Sequence, residues 1–208
     1  MSVEANLNGL NKKELIDLVK NLRTENVALK AMQEFMKQSN DRLERLEREQ
    51  NRHIQYQRRN TVEISGIPTA VKQDELEKEV CRIFDVAGVQ VNGHKLDPFQ
   101  IQACHRIGRK GNTICQFVNR KYAYEGIYNG KNLKDKNLFG EDSKVYINPS
   151  LCKEYQYLNY IIRKAKGGNK IFRWRVKHGI NLIQLSQEGE FFEVTHKNDL
   201  IEHGIIIE

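Results

Sequence analysis

"FQIQACHRIGRKGNTICQFVN", Phe99 to Asn119, holds two runs in which apolar and polar residues alternate, on either side of a Gly- and Lys-containing gap. A period of two is the mark of a strand with one face buried. Phe99–Ile107 and Thr113–Asn119 are therefore expected as paired strands, with the turn at Arg109–Asn112. The alternation also sends Cys104 and His105 to opposite faces, which argues against a catalytic dyad there.

The flanks extend this hairpin. Upstream, "TVEISGIP" (Thr61 to Pro68) alternates and then runs into a Gly-Ile-Pro loop. "DELEKEVCRIFDVAG" (Asp74 to Gly88) reads as an amphipathic helix with Asp74 as N-cap and Gly88 as its stop. Downstream, "RKYAYEGIYNGKNLK" (Arg120 to Lys134) reads as a second helix weakened by Gly126, and "KVYINP" (Lys144 to Pro149) as a fourth strand. The expected order over residues 60–149 is β-α-β-β-α-β, the ferredoxin-like or split-βαβ arrangement that RNA-recognition motifs share with many unrelated proteins. The aromatics that stack bases on the first and third strands of such motifs are missing, apart from Phe117. Binding across the sheet face is therefore not expected.

Before this domain, from Leu15 on, apolar residues step by three and four. Leu15, Leu18, Leu22, Leu29, Met32, Met36, Leu43 and Leu46 fill eight of ten heptad a and d sites, with Glu25 and Ser39 as exceptions. No Gly or Pro interrupts residues 10–59, which are expected to form a coiled coil between copies of the chain. In this register "RLERLE" puts Arg42 at g, Leu43 at a, Leu46 at d and Glu47 at e. That spacing favours a parallel homotrimer, with a dimer as the alternative. After the fourth strand, residues 150–208 read as a small α+β domain: a helix over Ser150–Gly168, then three short strands separated by Gly-containing turns. The fold class expected for the whole chain is α+β.

The formal net charge is +7, and "RKAKGGNKIFRWRVKH" (Arg163 to His178) alone holds seven Lys or Arg and no acid, so the rest sums to about zero. If Ile171–His178 is a strand, Arg173, Arg175 and Lys177 share one face, while Phe172, Trp174 and Val176 share the core-like other. Lys164, Lys166 and Lys170 widen the patch. Two further acid-free sites are the stalk exit (Arg52, Arg58, Arg59) and the hairpin loop (Arg106, Arg109, Lys110). All three could line one cleft. Gathered cations of this kind suit single-stranded RNA or DNA, bound with little regard to sequence.

Cys81, Cys104, Cys115 and Cys152 lack Cys-x-x-Cys spacing and are expected as reduced, buried thiols, with no metal site. No phosphate-cradling loop, carboxylate pair or nucleophile motif is present, so no enzyme and no cofactor are expected. The opening "MSVEANLNGLNKKEL" lacks a signal-peptide layout, so a cytoplasmic location is expected, with the nucleus as the alternative. A basic-zipper DNA-binding factor is excluded by order, because its basic region precedes the zipper and here it follows.

The stretches "ISGIP", "ACHRIG", "CQFVNRK" and "VYINPSL", the last followed by a helix, stand in an order that resembles two related groups. One is the family carrying the C-terminal domain of the baculovirus few-polyhedra protein. The other, more distant, is the first open-reading-frame protein of LINE-type retrotransposons. The likeness spans residues 12–203. It implies a homotrimeric single-strand RNA-binding protein with chaperone activity that coats nucleic acid in a ribonucleoprotein particle. The basic groups of the retrotransposon proteins match Arg58 and Arg59, then Arg106, Arg109 and Lys110, then Arg173 and Arg175. A late aromatic matches Phe191 or Phe192. One departure is Glu63, where the relatives carry an arginine. A protein-interaction scaffold of the few-polyhedra type, with no direct nucleic-acid role, is the competing expectation.

Overall fold

The structure, a computed structural model, describes residues 11–108, 111–140 and 143–205. They form an α+β protein, a long N-terminal helix followed by antiparallel sheets, in two compact units that divide between Glu47 and Arg48. Among the described residues no helix is long and apolar enough to cross a membrane.

Helix α1 (Lys12–Gln57) opens on a reciprocal cap. Asn11 Oδ1 accepts from the N–H groups of Lys13 and Glu14, each at 3.0 Å, and Glu14 Oε2 accepts from the Asn11 N–H at 2.8 Å. In the single chain Leu15, Leu22, Leu29, Met32, Met36, Leu43 and Leu46 are all exposed. Leu18 is half-exposed, and Arg42 and Glu47 are exposed beside this seam.

In the second unit, the alternation around Cys104 and Cys115 makes the expected hairpin. β4 (Ile101–Ile107) and β5 (Asn112–Phe117) pair antiparallel with Cys104 opposite Cys115. β1 (Thr61–Ser65) lies beside β5, and β6 (Tyr146–Pro149) beside β1, giving the order β4-β5-β1-β6. Alternate residues Val62, Ile64, Cys115, Phe117 and Ile147 enter a core closed by α2 (Leu76–Ala87) and α3 (Arg120–Asn129). Gly126 lets α3 close on this core: a Cβ there would lie 2.6 Å from the Phe84 ring. Gly88 ends α2 in the left-handed region at φ 79°, as the sequence predicts.

Several boundaries differ from expectation. Asp74 does not cap α2, because a 3-10 turn over Gln73–Glu75 comes first and no side chain bonds the helix end. Phe99 lies outside β4, in a second 3-10 turn (Pro98–Gln100) capped by Asp97, and is 93% exposed. A small hairpin, β2 (Gln90–Val91) and β3 (His94–Lys95), turns at Asn92-Gly93, both with positive φ. That dipeptide is a strong hairpin signal.

A second core gathers α4 (Lys153–Gly167) and the sheet β7 (Arg173–Lys177), β8 (Ile180–Gln184), β9 (Phe192–Val194), in that order. Tyr155, Leu158, Ile162, Ile171, Ile183 and Leu200 fill it. Helix α5 (Lys197–Glu202) completes it. The segment between the cores is fastened to the end of α1. The buried Gln55 donates to Ser150 O at 2.9 Å and accepts from the Cys152 N–H at 2.8 Å. Gly179, opposite, has no Cβ that would strike the Gln55 side chain, and its φ of 78° suits glycine. All four cysteines are free, Cys81 half-buried and the others buried.

Candidate nucleic-acid interface

The basic stretch from Arg163 is built by a helix stop and a strand start. α4 ends where the Lys170 N–H reaches back to Ala165 O at 3.0 Å, with Asn169 in the left-handed region at φ 58°. β7 then pairs with β8, Trp174 opposite Ile183. Its burial alternates as expected: Arg173, Arg175 and Lys177 are exposed, while Trp174 and Val176 pack against the second core.

Three arginines here lie within cation–π distance of aromatic rings. The Arg175 guanidinium sits 4.2 Å from the centre of the Phe191 ring, Arg173 5.3 Å from Phe172, and Arg163 5.2 Å from Trp174. Stacking uses the face of the guanidinium and leaves its edge N–H donors for an anion. Among the described residues no carboxylate lies within ion-pair distance of Arg163, Arg173 or Arg175.

A cleft of about 760 Å³ opens between the two cores. One wall is β1 and β6, contributing Glu63, Ser65 and the run Tyr146–Pro149. The other is α4, through Gln156, Asn159 and Arg163, with Trp174, Arg175 and Val176 of β7. Consecutive residues of β6 and β7 line it, whereas the face of a strand would offer only alternate ones. Both are end strands of their sheets, so the cleft runs along two strand edges. Glu63 Oε1 accepts from Asn112 Nδ2 at 2.7 Å and is the acid of this cleft.

Among the described residues of the three expected basic sites, Arg175 lines this cleft and the others do not. Arg106 is a structural group: its guanidinium donates to Ile67 O at 3.2 Å, Pro68 O at 2.6 Å, Val71 O at 2.9 Å and Gly111 O at 2.9 Å. It pins the loop after β1 to the hairpin, so both of its terminal nitrogens are engaged by backbone carbonyls. Arg109 and Lys110 lie outside the described residues. Arg52 pairs with Glu193 at 3.5 Å, and Arg58 donates to Ser150 Oγ at 3.1 Å. Arg59 stacks on Tyr56 at 3.8 Å and lines a separate hollow of about 520 Å³ with Gln116, Asn119 and Arg120. The buried Arg59 Nη1 has no hydrogen-bond partner there. Lys166 Nζ donates to Phe172 O, while Lys164, Lys170 and Lys177 are exposed.

Arg163, Tyr146 and Arg120 are additions to the expected set. Arg163 was visible in the basic stretch, and it lies one helical turn from Asn159. Tyr146 was visible only as the outward partner of Ile147 in β6. Among the described residues no group of three His, Cys, Asp or Glu could hold a metal. Comparison with protein-family models finds no match, and comparison with curated proteins finds none.

Proposed function

We propose that this chain is a non-catalytic single-strand nucleic-acid-binding protein that takes RNA along the cleft between β6 and β7. The observation that carries the reading is the row of exposed cations on β7 beside the cleft, with Arg173 and Arg175 within cation–π distance of aromatic rings and, among the described residues, no carboxylate within ion-pair distance of either. Trp174 anchors that row by packing into the second core. The sheet order β4-β5-β1-β6 supports reading residues 60–149 as a split-βαβ, RNA-recognition-like domain. Together with the resemblance in motif order, this favours a homotrimeric RNA chaperone of a mobile element or its domesticated relative, coating its RNA as a ribonucleoprotein.

Nuclease-treated protein titrated into labelled single-stranded RNA tests this directly. Wild type is expected to bind with affinity that falls steeply with salt. Replacing both Arg173 and Arg175 with Ala should weaken binding about tenfold or more, equally across unrelated sequences. It should also flatten the salt slope by about 0.7 for each phosphate that the variant no longer neutralises. Unchanged binding removes β7 from the site. A second reading, an interaction scaffold, has its own support in cations already paired with carboxylates, Arg48 with the half-buried Asp199 and Arg52 with Glu193 at the surface. RNA-free protein that ignores single strands at low salt decides for the scaffold.

A further inference from the structure

The solvent face of helix α4 extends beyond the wall that it gives the cleft. Its buried side is Tyr155, Leu158, Ile161, Ile162 and Ala165. Its solvent side carries Lys153, Gln156, Tyr157, Tyr160, Arg163 and Lys164, all exposed, with the half-exposed Glu154 at its margin. The solvent face of an amphipathic helix is ordinarily charged or short and polar. Here two aromatic rings stand in it, Tyr157 48% and Tyr160 64% exposed. At 3.6 residues per turn, Tyr160 lies about 40° and Tyr157 about 100° round the helix from Gln156. Gln156 and Arg163 belong to the cleft wall, so the tyrosines begin where that wall ends. Along the axis they are about 4.5 Å apart, close to the roughly 3.4 Å step of a nucleic-acid strand.

We infer that Tyr157 and Tyr160 form a base-stacking platform for the single strand as it leaves the cleft. This rests on the nucleic-acid reading above and adds what selects a single strand over a duplex. Unpaired bases offer their π-faces to exposed rings, and every base has one, so the platform is tolerant of sequence. The occupant is a polyanion and not a protein surface because three cations, Lys153, Arg163 and Lys164, surround the tyrosines on this face against one half-exposed acid, Glu154, at its margin.

The test compares full-length wild type with Y157A/Y160A and Y157F/Y160F, titrating single-stranded and duplex RNA over a salt series. Circular dichroism and melting temperature confirm folding of each variant. The alanine pair should bind single strands about a hundredfold more weakly, about tenfold per tyrosine, with duplex binding little changed. Its salt slope should match wild type, because stacking releases no counterions. The phenylalanine pair should bind like wild type. Alanine variants that bind single strands normally overturn the platform and leave this face to a protein partner. A phenylalanine pair as weak as the alanine pair, or a flattened salt slope, overturns stacking as the mechanism. If R173A/R175A loses binding while Y157A/Y160A does not, the platform alone falls. If wild type binds no RNA, the nucleic-acid reading falls with it.

Discussion

Arg106 and Arg175 look alike in the sequence, each in a basic run without acids, yet their surroundings give them opposite roles. Arg175 is exposed and lies 4.2 Å from the centre of a phenylalanine ring, whereas Arg106 turns to four backbone carbonyls. Those carbonyls belong to the Ile67–Val71 loop and to Gly111, which no ladder satisfies, so the planar fork does what a ladder would do. A lysine offers three donors from one point and cannot span them. Arg106→Lys is therefore expected to lower unfolding free energy by about 2 kcal/mol in urea titration, leaving RNA affinity within about twofold of wild type. Normal stability with weakened binding would return Arg106 to the interface. The sequence shows where charge is concentrated, but it does not show whether carbonyls five or forty residues away claim it. The same limit applies to Glu63, whose place in the cleft follows only from the position of the second core beside β6.

Elements were legible where one face is buried and the run is long. The alternation of β1, β4, β5 and β7 and the heptads of α1 come straight from periodicity. The two-residue strands around Asn92-Gly93 are too short for a period to show, leaving turn chemistry as their one signal. Helix α5, six residues long, was hidden for the same reason, and it is held by a local capping box between His196 and Asp199 and by one distant side chain, Arg48. Asp199 Oδ2 accepts from the N–H groups of Thr195 at 2.7 Å and His196 at 3.0 Å, and Oδ1 pairs with Arg48 at 2.7 Å. Burial pushes the Asp199 pKa up, but the Thr195 N–H, Arg48 and the His196 N–H together hold it below the usual carboxylate range. A folded-state pKa below the unfolded value means this stabilisation is complete above the unfolded pKa. It is lost as pH falls through the folded one. Asp199→Asn should thus melt below wild type by a constant margin above about pH 5, and the margin should shrink as pH drops below about 4. A margin that stays constant into strong acid would mean that Asp199 contributes through packing and not through charge.

At the scale of the whole molecule, the apolar seam of α1 is, in the proposed reading, the surface through which copies of the chain associate. Seven of its apolar a and d residues stand exposed in the single chain, Leu29 59% and Leu43 58% among them. A helix of 46 residues with one such stripe buries it only against other helices. Association would repeat the β7 cations in each copy, turning weak contacts on one long strand into strong binding by effective concentration. Shortening the chain is a poor test, because Arg48 and Gln55 fasten the end of α1 to the second core. Leu29→Asp with Leu43→Asp keeps those anchors and places carboxylates in two layers of the seam. Light scattering is expected to give about three chains of 24.3 kDa for wild type and one for the variant. Affinity for a short single strand filling one cleft should not change, while affinity for a long RNA should fall about a hundredfold. A wild type that is monomeric at every concentration would remove avidity from the mechanism and leave each cleft to bind alone. An assembled wild type whose variant comes apart without losing long-RNA affinity would separate assembly from binding.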